Sequence, residues 1–124
     1  MGWRFQAIRG ATTVEFNTKE AITAAVTEMI DALEAQNKLN LDDIVSVTFS
    51  VTKDLDAIFP AAIARARKGW EGVPFIDVQQ MHVVGSLPQC IRFMILVQTE
   101  QPSTHLNHIY LRGAKLLRPD LVMR

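Results

Sequence analysis

The segment from Ile91 to Thr99 is the most hydrophobic stretch of the chain, and its second residue is an arginine. An apolar run of this length predicts a central β-strand that is covered on both faces. Burying the guanidinium of Arg92 in such a strand is very costly unless an anion lies beside it. Any fold of this chain must therefore bring an acidic side chain or an anionic ligand to Arg92.

Three other arginines stand in apolar or β-branched surroundings. They are Arg9 in AIRGATTV, Arg65 in FPAAIARA and Arg118 in KLLRPDL. Because the planar guanidinium binds a carboxylate with two parallel hydrogen bonds, several such arginines predict a pocket for a small polyanion, in particular a dicarboxylate. Arg9 has no adjacent acid, and Gly10 leaves room for a ligand to approach the backbone.

Three of these arginines also have a structural alternative. Arg92 can form an ion pair with an acid such as Asp77, because buried arginines are usually paired. Arg65 can lie on a solvated helix face, which is the more common position for a helical arginine. Arg118 can form a salt bridge within the turn that contains Asp120. The sequence leaves these alternatives open.

Polar side chains in two other apolar segments are further candidates for the pocket. Asp77 interrupts the predicted strand Val73–Val78, where it can cap a turn, pair with an arginine or accept a hydrogen bond from a substrate hydroxyl. Gln79 and Gln80 follow it and can donate or accept hydrogen bonds. Tyr110 is an aromatic residue whose hydroxyl needs a partner when it is buried.

Overall charge argues against a nucleic-acid or membrane partner. The 13 Lys and Arg residues balance the 13 Asp and Glu residues, so no net basic field is present. The halves differ, because residues 1–56 hold five basic and nine acidic residues, whereas residues 57–124 hold eight and four. The anion site should therefore draw mainly on the second half of a chain that, at 124 residues, predicts a single domain.

Covalent and metal chemistry have little support in the sequence. Cys90 is the only cysteine and is expected to be a small core residue. His105 and His108 share a helical spacing, but a metal site would need a third ligand, so we expect no metal. No nucleotide-binding motif or nucleophile elbow is present. No leader pattern and no membrane-spanning stretch are found either, which predicts a cytoplasmic protein.

Hydrophobic periodicity predicts the secondary structure. Asn17 and Glu20 stand in the relation of an N-cap and the third helical residue, so a helix is expected to begin there and to end at Asn37. The other predicted elements are strands at Trp3–Ile8, Ile44–Val51, Val73–Val78, Ile91–Thr99 and Ile109–Leu117, a helix at Pro60–Lys68, and a turn or short helix at Pro102–Asn107. The pattern predicts an α+β fold, a mixed β-sheet with helices on one face. The other face is also apolar, which predicts an oligomer.

Five segments together carry a family resemblance: IRGATTVE, DLDAIFPAAIAR, VPFIDVQQM, GSLPQCIRFMILVQT and HIYLRGAKLLRPDL. In this order the chain resembles the monofunctional α/β type of chorismate mutase, from about Arg9 to Leu121. The resemblance implies a homotrimer that forms a pseudo-α/β-barrel, with active sites at the subunit interfaces. It also implies one chorismate mutase domain over residues 1–124, whose last few residues we expect to be flexible.

The resemblance implies a reaction and a set of site residues. The reaction is the Claisen rearrangement of chorismate to prephenate for phenylalanine and tyrosine biosynthesis, which needs no cofactor and no covalent intermediate. Arg92 matches the arginine that contacts the breaking ether oxygen. Arg9 and Tyr110 match residues that hold a substrate carboxylate and the ether region. Further candidates for substrate binding are Phe59, Ala61, Arg65, Phe75, Ile76, Val78, Gln79, Leu117 and Arg118.

The chain departs from the family pattern at three positions. Gln80 stands where much of the family has a glutamate that accepts a hydrogen bond from the substrate hydroxyl. Asp77 stands where a small polar residue is common, and Ala62 replaces a lysine near the rim. We expect Asp77 to supply the missing carboxylate, either directly or by orienting Gln80; a purely structural Asp77 is the alternative.

Two other functions compete with this interpretation. Trimeric imine deaminases are expected to share a similar fold and to use an interface arginine for a carboxylate. A noncatalytic trimeric module that binds a small dicarboxylate is the other candidate. The assay of chorismate conversion distinguishes all three.

Overall fold

The computed structural model describes residues 2–102 and 105–122. The predictions of a turn or short helix at Pro102–Asn107 and of a flexible C-terminal end lie partly outside these ranges. The elements are β1 (Arg4–Thr13), α1 (Lys19–Asn37), β2 (Ile44–Val51), α2 (Pro60–Arg65), β3 (Phe75–Gln79), β4 (Cys90–Thr99), β5 (Ile109–Tyr110) and α3 (Pro119–Val122), with 3-10 segments at Leu41–Asp43 and Arg112–Leu116.

Within the described residues the strands form one mixed sheet with the order β3-β2-β4-β1-β5. Antiparallel pairs join β4 to β1 and to β2, whereas β3 and β5 run parallel to their neighbours. The predicted central position of the most hydrophobic strand is confirmed. Side chains of α1 and α2 pack on alternate residues of β1, β2 and β4 in one hydrophobic core. The α+β prediction of a mixed sheet with helices on one face is therefore confirmed for the single chain.

Helix α1 begins one residue later than predicted. Thr18 is the N-cap, and its hydroxyl oxygen accepts the amide hydrogen of Ala21 at 3.1 Å. Asn17 instead accepts the amide hydrogen of Asp56 at 3.0 Å and so holds the loop that precedes α2. The predicted end at Asn37 is confirmed, because the next residue adopts the left-handed conformation.

Strand β1 is longer than predicted, because its pairing with β4 continues to Thr13. Gly10 lies inside this strand, where a Cβ atom would stand 2.2 Å from the ring of Phe93. The glycine therefore makes room for a core aromatic ring. The prediction that Gly10 admits a ligand is wrong, because the residue is buried on the helix-covered face.

The C-terminal segment is not the extended stretch that the sequence predicted. Strand β5 spans two residues, and Arg112 then takes a positive φ of 52° that turns the chain into the 3-10 segment. The Arg112 guanidinium donates to the carbonyl oxygen of Thr13 at 3.2 Å and to Glu28 at 3.2 Å. These bonds hold the segment at the end of β1.

Helix α2 is also shorter than predicted and is tied to α1 by a polar cluster. Arg67 follows the helix and forms two hydrogen bonds with Glu34, at 3.1 and 3.2 Å, and an ion pair with Asp31 at 2.7 Å. The indole N–H of the buried Trp70 donates to the same Glu34 carboxylate at 2.7 Å. Arg67 is thus a structural residue that fixes α2 against α1.

Candidate active site

The strand register brings three predicted site residues to the face of the sheet opposite the helices, called here the open face. Arg92 on β4 pairs with Ala11 on β1, and Ala11 pairs with Tyr110 on β5. Residues that face one another across a sheet point to the same side, so Arg92 and Tyr110 share the open face, about 10 Å apart. Arg9 lies two residues before Ala11 and therefore points to the same face.

Arg92 has no acidic partner in the part of the chain that the structure describes. Its Nε atom is buried and makes no hydrogen bond there. Burial raises the pKa of the Cys90 thiol, and the Arg92 guanidinium opposes the rise. Asp77 points to the helix-covered face, opposite Phe49, so it forms no ion pair with Arg92. The charge of Arg92 is therefore available to an anion on the open face.

The C-terminal segment packs beside this group of residues. Tyr110 and Leu117 pack against a small cluster formed by Ala11, Cys90 and Ala114. The contact places Leu117 at the same end of the open face as the Tyr110 ring.

Arg118 follows Leu117 and is paired locally. Its guanidinium makes two hydrogen bonds with the carboxylate of Asp120, at 3.1 and 2.9 Å. The salt bridge raises the pKa of Arg118 and lowers that of Asp120. The local salt bridge that the sequence allowed for Arg118 is therefore confirmed. A substrate anion would have to share this guanidinium with the aspartate.

A second group of predicted residues lines a cavity of about 590 Å³ between the end of β2, the start of α2 and β3. Phe59 stands at this cavity with 70% of its surface exposed. Ala61 and Arg65 lie on α2, and Phe75 and Ile76 lie on β3, but none of these four lines the cavity. The other predicted residues that line the cavity are Asp77, Val78 and Gln79. The cavity is also lined by Lys53, Leu55 and Asp56, which could not be predicted because their loop carries no periodic pattern.

Asp77 holds the start of α2. Its Oδ1 atom accepts the amide hydrogen of Ala61 at 3.0 Å, and the N-cap residue Phe59 supplies no side-chain cap. Burial raises the pKa of Asp77, whereas the bond from Ala61 and the charge of Arg65 oppose the rise. Of the roles that the sequence allowed, the capping role is observed. A contact with the substrate hydroxyl stays a prediction.

Gln80 follows β3 and is half-buried. Its amide N–H donates to the carbonyl oxygen of Val51 at 2.8 Å, whereas its side-chain Oε1 is buried and accepts no hydrogen bond from the described residues. Asp77 lies three residues earlier and points to the other face of the strand. Within the described chain no hydrogen bond joins the two side chains, so Asp77 does not orient Gln80 there. The side-chain Oε1 atom of Gln80 therefore has no hydrogen-bond donor among the described residues.

The two groups of residues are separated within one chain. Strand β3 lies two strands away from β4 and three strands away from β1. At about 4.8 Å per strand, β3 stands roughly 10–15 Å from the strands that carry Arg92 and Arg9. Within one chain the two groups therefore do not form a single pocket. In the described residues, no three His, Cys, Asp or Glu side chains are grouped as a metal site would need, and no helix is long and apolar enough to span a membrane.

Comparisons with known proteins agree on one family. The family model for type I chorismate mutase matches residues 5–121. The chain is 41% identical over 116 residues to the chorismate mutase AroH of Bacillus subtilis, with 94% of this chain and 91% of the relative covered. It is 43% identical over 117 residues to the AroH of Thermus thermophilus, with 94% and 95% covered. A solved chorismate mutase from Clostridium thermocellum has a TM-score of 0.85 and 44% identity, with 90% of this chain and 98% of that chain covered.

Proposed function

Because the chain belongs to the type I chorismate mutase family, we propose how its two groups of residues carry out the family's reaction. The chain is a chorismate mutase, an isomerase of aromatic amino acid biosynthesis that converts chorismate to prephenate. Of the competing functions, neither an imine deaminase nor a noncatalytic module is favoured by an observation in this structure.

The chemistry of the rearrangement determines what the site must supply. In one step the ether C–O bond of chorismate breaks and a new C–C bond forms, and no proton is transferred. Catalysis can therefore come from holding the substrate in its compact conformer and from placing positive charge where the ether oxygen becomes negative. Two carboxylates on the substrate also require cationic partners.

The observation that carries the proposal is the cationic open face. Arg92 presents a guanidinium with no acidic partner among the described residues, and Arg9 lies on the same face. Arg92 stabilises the developing charge on the ether oxygen. Arg9 binds a substrate carboxylate, and the Tyr110 hydroxyl lies beside the ether region. Leu117 and Arg118 close this end of the site.

The cavity group completes the pocket from its other side. Phe59 and Arg65 form its rim, and Gln80 accepts the hydrogen bond of the substrate hydroxyl through its free Oε1 atom. Asp77 adds negative charge nearby and fixes Ala61. The remaining residues of this side are Phe75, Ile76, Val78 and Gln79.

The pocket forms between two copies of the chain in a homotrimer. One chain keeps the two groups apart, and its open face exposes large apolar side chains such as Met94, at 51%, and Ile76, at 57%. Burying such a face against neighbouring copies removes it from water. Three chains then close a pseudo-α/β-barrel with the helices outside. A single domain over residues 1–124 and a cytoplasmic location are part of the same proposal.

An activity assay with altered Arg92 tests the catalytic role. Loss of chorismate and appearance of prephenate are followed by ultraviolet absorbance. Replacement of Arg92 with citrulline keeps the shape but removes the charge, so kcat should fall on the order of a hundredfold or more while KM changes little. Arg92→Lys should also be poor, because lysine lacks the planar fork. Near-normal kcat in either variant refutes the role of Arg92.

A further inference from the structure

The pairing between β5 and β1 ends abruptly on the side of Arg9. Strand β5 contributes two residues, with Ile109 opposite Gly10 and Tyr110 opposite Ala11. Leu111 adds one hydrogen bond from its amide to the carbonyl oxygen of Ala11, at 3.0 Å. So short a strand needs other contacts to stay in register.

If the parallel pairing continued, the amide of Arg9 would donate to the carbonyl oxygen of Asn107. Asn107, however, is bonded elsewhere. The amide of Asn107 donates to Oδ1 of Asn37 at 2.7 Å, and its carbonyl oxygen accepts from Nδ2 of Asn37 at 2.9 Å. Asn37 is buried at the end of α1. The backbone of Asn107 is therefore bonded to the end of α1, and the amide of Arg9 has a different partner.

The imidazole of His108 takes the place of that backbone carbonyl. Its Nδ1 atom accepts the amide hydrogen of Arg9 at 3.0 Å. A ring nitrogen can accept a hydrogen bond only when it carries no proton, so this contact requires neutral imidazole protonated at Nε2. His108 also lines a cavity of about 210 Å³ together with Tyr110 and Leu121. The same side chain thus touches the backbone of Arg9 and adjoins Tyr110.

From this geometry we infer that His108 is a positioning residue of the mutase site. Its side-chain bond fixes the backbone from which Arg9 extends and keeps Tyr110 in register beside it. The inference rests on the proposed roles of Arg9 and Tyr110 in holding the substrate. His108 itself touches no reacting atom, because it acts through the main chain of β1.

Kinetics should show this role mainly in KM. A substrate carboxylate is bound by Arg9 both before and during the reaction, so misplacing Arg9 weakens the ground state and the transition state alike. His108→Leu removes the acceptor and should raise KM for chorismate roughly five- to tenfold, the effect of losing one ordinary hydrogen bond. Its kcat should stay within about twofold of the wild type.

Two further variants separate the acceptor from the ring. In His108→Asn the Oδ1 atom stands at the place of Nδ1 and can accept the same hydrogen bond, so KM should return to within about threefold of the wild type. His108→Gln moves the acceptor one bond further out, so its KM should be raised as in His108→Leu. His105→Leu is the matched control, because His105 is exposed and its removal should leave KM unchanged.

Amide hydrogen exchange at Arg9 gives a readout that does not depend on turnover. The Arg9 amide should be protected in the wild type and in His108→Asn, and it should exchange at least tenfold faster in His108→Leu. If His108→Leu does not fold, the KM values of His108→Asn and His108→Gln are compared instead. Equal KM values for these two variants would overturn the inference.

The outcomes distinguish this inference from the proposed function. A folded wild type that converts no chorismate refutes the proposed function, and the role of His108 with it. An active wild type whose KM does not move in folded His108→Leu refutes only the positioning role. An Arg9 amide that is not protected from exchange in the wild type also refutes only the positioning role.

Discussion

Mixing two inactive variants tests whether each site is shared between neighbouring chains. Arg65→Ala removes a residue of the cavity group, and Arg92→Ala removes a residue of the open-face group. If the two groups of one site come from different chains, each pure variant has no intact site. A trimer that contains both variants has one intact site, because one of its interfaces joins the undamaged groups.

Random assembly of a trimer sets the size of the expected recovery. A site is intact when one neighbour supplies Arg65 and the other supplies Arg92. With equal amounts and random assembly, each condition is met about half the time, so about a quarter of all sites should be intact. The mixture should therefore show about a quarter of the wild-type kcat per chain, with an unchanged KM. Each variant chain lacks one of the two arginines, so the recovery cannot come from within one chain.

The assay needs exchange of subunits and two controls. The variants are unfolded together and refolded, and the rate of chorismate loss is measured. Each variant refolded alone should remain inactive. A double variant carrying both changes, refolded with Arg65→Ala, should also remain inactive, because neither chain supplies an intact Arg65. The shared site would be refuted if well-folded mixed trimers showed no recovery of activity. It would also be refuted if light scattering showed a fully active monomer.

Three further changes test the roles assigned to single residues. Asp77→Asn should lower kcat/KM, and adding Gln80→Glu should restore part of it; unchanged kcat/KM would make Asp77 purely structural. Burial raises the pKa of Asp77 above 3.8, so its charge costs folded-state stability increasingly as pH rises past that value. The thermal midpoint of Asp77→Asn, which keeps an acceptor for the Ala61 amide, should therefore improve relative to the wild type between acidic and neutral pH. Glu34→Gln should lower the free energy of unfolding by about 1–2 kcal/mol in urea titrations, with kcat preserved. Gly10→Ala should cost about 1–3 kcal/mol, because the ring of Phe93 must move; a wild-type midpoint would contradict the packing argument.

Periodicity predicted the elements whose side chains alternate between core and solvent. The strand at Ile44–Val51 and the helix end at Asn37 have the predicted bounds, because local pattern and packing agree there. Strict alternation along this strand would place Val45 on the buried face with Val47. A register shift between Ile44 and Ser46 leaves Val45 exposed, and such irregularities depend on the partner strand.

The arginines of the site were predictable, and their surroundings were not. An arginine in an apolar strand indicates an anion site whatever the topology, which is how Arg92 could be found. The partner of Asp77 is an amide sixteen residues away, and the partner of His108 is an amide ninety-nine residues away. Contacts of this kind follow from the strand order, which no local spacing encodes.

The placement of β1 has a consequence for the synthesis of the chain. This strand precedes the other strands of the sheet, and its sheet neighbours β4 and β5 are the last two strands in the described order. At about 5–20 residues per second, the growing chain carries an unpaired β1 for roughly 5–20 s before Thr99 is made. Pairing segments so far apart also costs loop-closure entropy, which slows folding toward the range of milliseconds to seconds. Arg9 therefore acquires its β4 and β5 neighbours only long after it has been translated.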